Sequence, residues 1–345
     1  MSIKELIVVH VCYRDVFNAP VSIEALKTWL GVGRENHQMF DTALAELKNE
    51  GLMIEAKGFL ARKGNEEVIL NQKRKSELAE KITAKGQKGL TLLSKMPFIK
   101  FVGISGSIAA ENPTYDFDEK HVDLDLFVVT SKNTLWCFIL VERIFTNIVR
   151  LFQGNHFYCL NYVTEDSFLE IYNKNFYTAT ELINLRPIID KGVFSKLICC
   201  NQWVDKYYNK ESKESISASV FNKSFSSSIL FSVNYLFFIL FGLMRSLKRF
   251  DLIGIRDLKT TFDPNQRFNF LRISNERGGY QEAIKKKFGE LFKDNFKDYY
   301  SEALMEELFP AEHSFVFSPD SQIEDFKMKQ LFRKYTLLTD EKGSG

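Results

Sequence analysis

The sequence predicts an α+β fold, and three observations lead to this prediction. Apolar residues recur at helical spacing near the N-terminus and again in the C-terminal half. Between these regions lie two apolar runs of strand length, at 98–105 and 124–129. We therefore expect a mixed sheet with flanking helices over 71–175, preceded by a helical unit over 1–70 and followed by a mainly helical unit over 176–340.

Composition narrows the class of protein. The chain has 345 residues, which is enough for two or three domains, and its 45% hydrophobic and 26% charged residues are typical of a globular protein. A formal net charge of +2 gives no general attraction to nucleic acid or anionic membrane. The five cysteines form no CxxC pair, and no cleavable leader is recognisable. These features predict a cytoplasmic protein with reduced thiols.

Residues 1–70 resemble a winged helix-turn-helix module. Ser22 is placed to cap a second helix, and Gly51 is placed to end a third. The segment that follows reads as a hairpin that turns at Lys57-Gly58 and would form the wing.

The charge of this module argues against DNA binding. It carries eight Lys and Arg against ten Asp and Glu, a net charge of −2. The predicted recognition helix has Asp41, Glu46 and Glu50 but only Lys48. Phosphate contacts supply most non-specific affinity for DNA, so this is the wrong sign. The sequence therefore favours a packing or protein-contact module.

The segment 71–100 is a basic, helix-like stretch. It carries eight Lys and Arg against two Glu. One interpretation is a solvated helical face that leads into the sheet. The other places some of its lysines near a triphosphate or a polyanionic acceptor, and the sequence leaves both open.

Chemistry-bearing residues stand at the two ends of the loop between the apolar runs. The first run ends at Ser105-Gly106-Ser107, and the second opens on Asp123-Leu124-Asp125. Strand alternation puts Asp123 and Asp125 on one face, where two carboxylates repel each other unless a cation lies between them. Hard cations such as Mg²⁺ or Mn²⁺ are held by one or two carboxylates together with substrate phosphates. Glycine lets the backbone approach a ligand closely, and Ser105 and Ser107 add hydroxyls.

This order of strand, Gly-Ser, helix and strand with Asp-x-Asp resembles the DNA polymerase beta-like nucleotidyltransferase superfamily, in its minimal form with an N-terminal winged-helix module. The resemblance implies a nucleotidyltransferase sheet in which Gly106, Ser107 and Ser105 bind the triphosphate. It also implies that Asp123 and Asp125 are catalytic and hold the metal. The spacing from Ser107 to Asp123 is longer than in many members of the superfamily.

The resemblance also implies a third carboxylate on the next strand, where this sequence has Asn161. We predict that strand at 156–164, with Asn161 on one face together with Phe157, Cys159 and Val163. An amide can orient a hydroxyl or contact a metal, but it cannot accept a proton as a base. Alternatives for the third carboxylate are Glu165, Asp166 and Glu170. The acids in the preceding loop are interpreted as solvated, although they could also enclose a metal: Asp116, Asp118 and Glu119.

The most apolar stretch is 229–244. Its sixteen residues fall short of the roughly 20 that span a bilayer, and Ser232 and Asn234 interrupt it. We predict a buried helix that covers the catalytic domain. Peripheral membrane contact through this helix, with a basic flank at Arg245, Lys248 and Arg249, is the alternative.

The sequence thus predicts a Mg²⁺-dependent nucleotidyltransferase that moves a nucleoside monophosphate from a nucleoside triphosphate, such as ATP, to a hydroxyl acceptor and releases pyrophosphate. A small molecule, sugar or glycan is the first choice of acceptor, a protein hydroxyl the second and an RNA 3′ end the third. The alternative is a catalytically reduced protein of the same fold that senses a nucleotide and acts as a regulator or partner-binding module. A third hypothesis is a membrane-surface scaffold organised by 229–244.

Overall fold

The protein has an α+β fold, as the sequence predicted. Its structure is a computed structural model that describes residues 1–33, 36–96, 98–113, 124–153, 158–208, 228–249, 272–274 and 280–310.

The elements are numbered along the described chain. The helices α1 to α11 are Ile3–Val16, Ile23–Trp29, His37–Asn49, Glu67–Ser94, Gly106–Ala109, Leu135–Gln153, Phe176–Ile183, Phe194–Cys200, Ser228–Arg249, Tyr280–Asn295 and Glu302–Leu308. The strands β1 to β8 are Val21–Ser22, Met53–Ala56, Phe59–Arg62, Ile99–Ile104, Leu124–Thr130, Tyr158–Glu165, Arg186–Asp190 and Arg272–Ser274.

The N-terminal region folds from local signals that the sequence shows. The Ser22 hydroxyl accepts the N–H of Ala25 and caps α2, as predicted. The hairpin of β2 and β3 turns at Lys57 and Gly58, both with left-handed φ angles, and β1 adds to β3 to give the order β1-β3-β2. The predicted helices and hairpin are therefore present.

The central sheet has the order β7-β4-β5-β6-β8. Strands β5 and β6 are parallel, and the other neighbours are antiparallel. The end of β4, the start of β5, the start of β6 and the start of β7 consequently lie at one end of the sheet. We call this the near end, and we call the opposite end of the same strands the far end.

Strand β5 is buried on both faces. Leu124, Leu126 and Val128 pack with α4, α6 and α9, whereas Phe127 and Val129 pack with α1, α7, α8 and α10. The N-terminal helices and one face of the sheet thus share a single hydrophobic core. This burial explains why β5 reads as a nearly continuous apolar run after its opening acids.

Two strands come from the region that the sequence predicted as mainly helical. Strand β7 contains Pro187 and forms one edge of the sheet, where a residue without an N–H is tolerated. Strand β8 pairs with β6 at the opposite edge of the described sheet.

Helix α9 covers α6, as predicted for 229–244. The buried Asn234 side chain accepts the N–H groups of Trp136 at 2.7 Å and Cys137 at 3.2 Å, and Phe238 packs on the Trp136 ring. Within the described ranges, no helix is both long and apolar enough to cross a membrane. The outer face of α9 exposes a stripe of apolar side chains: Ile229, Val233, Leu236, Leu240 and Leu243.

Candidate functional site

The near end of the sheet brings the Gly-Ser segment against the start of β5. The register that pairs Ile104 with Leu126 puts Ser105 opposite Asp125, and the Ser105 N–H donates to the Asp125 carbonyl oxygen at 2.9 Å. Cross-strand partners project from the same face of a sheet, so these two side chains are neighbours. The chain then turns at Gly106, whose φ of +67° is left-handed, and begins the single turn of α5.

The Asp125 carboxylate occupies the space beside Gly106 that a side chain would need. A Cβ at Gly106 would lie 2.5 Å from Oδ2 of Asp125 and 3.3 Å from its Cγ. Both the left-handed φ and this contact require glycine. Two segments that the sequence singled out separately, the Gly-Ser and the Asp-x-Asp, therefore meet through Gly106 and Asp125. Asp123 lies outside the described residues.

The Ser105 side chain is buried at this position. The residue is 6% exposed, and in the described part of the chain its Oγ has no hydrogen-bond partner. A buried hydroxyl normally finds a partner, so an orphaned one at a cluster of carboxylates points to a ligand. Ser107 follows at the second position of α5 and is half-buried.

A second carboxylate at this end was not singled out by the sequence analysis. Glu181 lies on α7, and its Oε2 accepts the N–H of Gly106 at 3.2 Å. Asp125 and Glu181 thus flank the same glycine, one beside the missing side chain and the other at the N–H. The segment TATELINLRPII carries no local motif that marks Glu181; only the fold of α7 against β4 reveals it.

Three cationic side chains gather around the loop after α5. The Arg14 guanidinium donates to the Ala110 carbonyl oxygen at 3.3 Å, and burial lowers its pKa. Lys75, on the basic helix α4, donates to the Asn112 side chain, and burial followed by the Arg14 charge lowers the lysine pKa. Arg186, at the start of β7, forms an ion pair with Glu111 of the loop. These three side chains therefore hold the loop after α5.

Asn161 occupies a bulge and not a regular strand position. Leu126 pairs with Leu160 and Phe127 pairs with Tyr162, which leaves Asn161 as the extra residue of β6. The predicted face of this strand is therefore wrong beyond the bulge, because Val163 packs with Leu126 in the layer under α6. Asn161 itself is half-buried.

Two of the three alternatives for a third carboxylate lie at the far end. Glu165 pairs with Thr130 at the far end, about 16 Å along β5 from Asp125. Asp166 follows it there, and Glu170 forms an ion pair with Lys174. Glu165 and Asp166 were therefore wrong candidates, because β6 runs away from the site. The loop acids Asp116, Asp118 and Glu119 lie outside the described residues.

Glu165 instead serves the start of α6. It is fully buried, and its carboxylate accepts the N–H of Asn133 at 2.9 Å, the N–H of Leu135 at 3.4 Å and the Asn234 side-chain amide at 3.4 Å. Burial raises the pKa of Glu165 to about 7, and the donated N–H groups oppose this shift.

The donors at the near end fit a hard cation. Asp125, Glu181 and Ser105 offer oxygen ligands only, the type that Mg²⁺ prefers. In the ranges that the structure describes, no three His, Cys, Asp or Glu side chains come together as a metal cluster. Mg²⁺ usually needs only one or two carboxylates, with substrate phosphates and water as further ligands. The residues present therefore fit a cation that arrives with a phosphorylated substrate.

Comparison of the chain with models of known protein families, with curated proteins and with solved structures found no match in any of the three.

Proposed function

We propose that the protein is a Mg²⁺-dependent nucleotidyltransferase whose active site is the near end of the central sheet. One observation carries the proposal: the Asp125 carboxylate lies where a side chain of Gly106 would be, 2.5 Å from the Cβ position. The pairing of β4 with β5 brings the glycine turn and the acidic strand end together. A triphosphate with its cation needs both.

The order of elements also supports this proposal. The strand β4, the Gly-Ser turn with α5, the strand β5 and the next strand β6 follow each other in the order that the sequence resemblance implies. The N-terminal helices and hairpin agree in the same way with a winged helix-turn-helix module.

Each residue has a defined role in the proposed reaction. Asp125 and Asp123 hold the cation, and Ser105, Gly106 and Ser107 bind the phosphates. A cation held by these residues would supply charge neutralisation for the triphosphate and would lower the pKa of the acceptor hydroxyl. Because catalysis of this kind depends on positioning and charge, few other reactive side chains are needed.

The remaining residues at the near end would act on the reactants around this centre. Asn161 orients the acceptor hydroxyl through its amide. Arg14 and Lys75, which contact the loop after α5, would attract the triphosphate to this end of the sheet.

The acceptor is proposed to be a small molecule, sugar or glycan hydroxyl. In the N-terminal module, lysines near the predicted recognition helix are held by carboxylates: Lys48 contacts Glu55 at 2.8 Å and Lys27 contacts Asp41 at 2.9 Å. These pairs reduce the positive charge available to a nucleic acid. Polynucleotide acceptors therefore come last.

Calorimetry with the four nucleoside triphosphates tests the proposal first. The full chain is titrated with and without Mg²⁺, and the same protein is then incubated with triphosphate labelled on the α-phosphate and panels of sugars, glycans, proteins and RNA. We expect Mg²⁺-dependent binding of at least one triphosphate, transfer of label and release of pyrophosphate. Asp125→Asn is the matched control. Absence of Mg²⁺-dependent binding for all four nucleotides would overturn the proposal.

The same experiment separates the proposed enzyme from a nucleotide sensor of the same fold. The sensor predicts Mg²⁺-dependent binding with no transfer of label to any acceptor. Asn161 favours the sensor because an amide cannot act as a base, whereas Asp125 beside Gly106 favours the enzyme.

Peripheral membrane contact is a second candidate, favoured by the exposed apolar stripe of α9. A helix with one apolar face can lie in the membrane interface without crossing it. Sedimentation with liposomes, compared between the wild type and Leu236→Gln, tests this candidate. Equal sedimentation of both proteins would contradict it.

A further inference from the structure

Glu181 has a relation to Gly106 that the proposed function does not yet use. Its Oε2 accepts the Gly106 N–H at 3.2 Å, and this N–H is one of the donors assigned to the triphosphate. A backbone N–H has one hydrogen to donate. A phosphate oxygen can therefore take this donor only if the Glu181 carboxylate gives it up.

The neighbour on the other side of Gly106 is also an anion. Oδ2 of Asp125 lies 2.5 Å from the Cβ position of the glycine, so the Asp125 and Glu181 oxygens are at most about 8 Å apart. Two carboxylates at this separation disfavour a third anion between them. A triphosphate without a cation would meet this repulsion directly.

A divalent cation would offset this repulsion, because it attracts both carboxylates and the triphosphate. The buried Ser105 Oγ lies on the same face as Asp125 and has no hydrogen-bond partner among the described residues. It is an independent sign that a ligand belongs here, in addition to the two acids. With Asp125 and Glu181 it completes a set of oxygen ligands suited to Mg²⁺.

We propose that Glu181 is a metal ligand that yields the Gly106 N–H to the triphosphate only when a divalent cation binds. This inference rests on the proposed function for the identity of the nucleotide, but its metal component is independent of it. Glu181 thereby makes the binding of nucleotide and cation mutually dependent. Such coupling is reciprocal, so the nucleotide tightens the cation by the same factor.

Two binding measurements test this role without relying on turnover. The first is titration of the full chain with Mn²⁺ alone, followed by electron paramagnetic resonance. The second is calorimetry of ATP, or of whichever triphosphate binds the wild type, in the presence of EDTA. The variants are Glu181→Gln, Asp125→Asn and Asp190→Asn, the last being a matched loss of a carboxylate that accepts a backbone N–H at the far end.

We expect Glu181→Gln to weaken Mn²⁺ binding about tenfold, because the site loses one charged ligand. The same variant should bind triphosphate in EDTA several-fold more tightly than the wild type, because one anion has gone. Asp190→Asn should match the wild type in both measurements. Gln keeps an oxygen that can accept the Gly106 N–H, so a purely structural role predicts no change.

Glu181→Asp covers the case in which Glu181→Gln does not fold. It keeps the charge, so its Mn²⁺ affinity should lie nearer to that of the wild type than to that of Asp125→Asn. Mn²⁺ affinity that is unchanged in Glu181→Gln but reduced in Asp125→Asn would overturn this inference and leave the proposed function intact. Absence of Mn²⁺ binding at the near end of the wild type would overturn this inference alone, because the proposed function lets the cation arrive with the triphosphate.

Discussion

The two ends of the central sheet both hold carboxylates, but they hold them in different ways. At the far end, Glu165 is fully buried and accepts two backbone N–H groups and the Asn234 amide. At the near end, Asp125 and Glu181 converge on Gly106, which has a single N–H to offer. The donors around Glu165 belong to the fold, whereas the two carboxylates at the near end meet at a glycine turn beside the unpartnered Ser105 hydroxyl and suit a cation. The same residue type thus serves structure at one end and proposed chemistry at the other.

The largest expected effect is a loss of activity on substitution at the near end. Asp125→Asn keeps the shape of the side chain but removes the charge that holds the cation. We expect pyrophosphate release to fall on the order of a thousandfold. Glu165→Gln, assayed in parallel, should stay within about threefold of the wild type. Wild-type-like turnover of Asp125→Asn would end the enzymatic account.

The next largest effect is a loss of stability on substitution at the far end. Glu165→Ala removes the acceptor of the Asn133 and Leu135 N–H groups and leaves buried donors at the start of α6. We expect the free energy of unfolding to fall by about 3 kcal/mol, measured by urea denaturation. Glu77→Ala, at an exposed position that is ion-paired with Lys73, is the control and should change it by less than about 1 kcal/mol. A loss for Glu165→Ala as small as that of the control would show that the far end is not structural.

Gly106→Ala sharpens the comparison by placing a methyl group against Asp125. The new Cβ would meet Oδ2 at 2.5 Å and push the carboxylate aside, so we expect activity to fall about a hundredfold. Gly58→Ala is a matched control, because Gly58 also has a left-handed φ, +77°, and nothing within 4 Å of its Cβ position. Both variants carry the backbone strain, and only Gly106→Ala adds the clash. Equal activities of Gly106→Ala and Gly58→Ala would show that the close approach of Asp125 to Gly106 does not contribute to activity.

The smallest expected effect is a pH dependence of stability at the far end. The folded-state pKa of Glu165 is raised to about 7 by burial, above the ordinary value near 4.5, so the folded protein binds a proton that the unfolded chain has released. This contribution to stability is complete below about pH 4.5 and is lost as the pH rises through about 7. The wild type should therefore lose about 2 kcal/mol relative to Glu165→Gln between pH 5 and pH 8.

Taking the difference in stability between the wild type and Glu165→Gln cancels the contributions of other titrating groups that the two proteins share. Burial lowers the pKa of His10 to about 3, and this group acts in the opposite direction as the pH falls below about 6.5. A difference between the two proteins that does not change with pH would show that Glu165 has no raised pKa.

Local signals in the sequence predicted most of the elements. The cap at Ser22, the turn at Lys57-Gly58 and the strand that opens at Leu124 depend on neighbours along the chain, and each is found where it was expected. The meeting of Gly106 with Asp125 could be predicted because strand order and alternation bring adjacent strands together.

Three features depended on interactions that neighbouring residues do not encode. The bulge at Asn161 adds one residue to β6 and reverses the predicted faces beyond it. Strand β7 contains a proline that resembles a helix breaker until its edge position is known. Glu181 is 75 residues from Gly106, so its hydrogen bond is visible only in the folded chain.

Anomalous diffraction from crystals grown with Mn²⁺ and a non-hydrolysable nucleoside triphosphate tests the central claim most directly. The account predicts a Mn²⁺ peak about 2.1 Å from a carboxylate oxygen of Asp125, with a phosphate oxygen as another ligand and the Gly106 N–H directed at the phosphates. An ordered Mn²⁺–triphosphate bound elsewhere on the protein, with Asp125 outside its ligands, would contradict it.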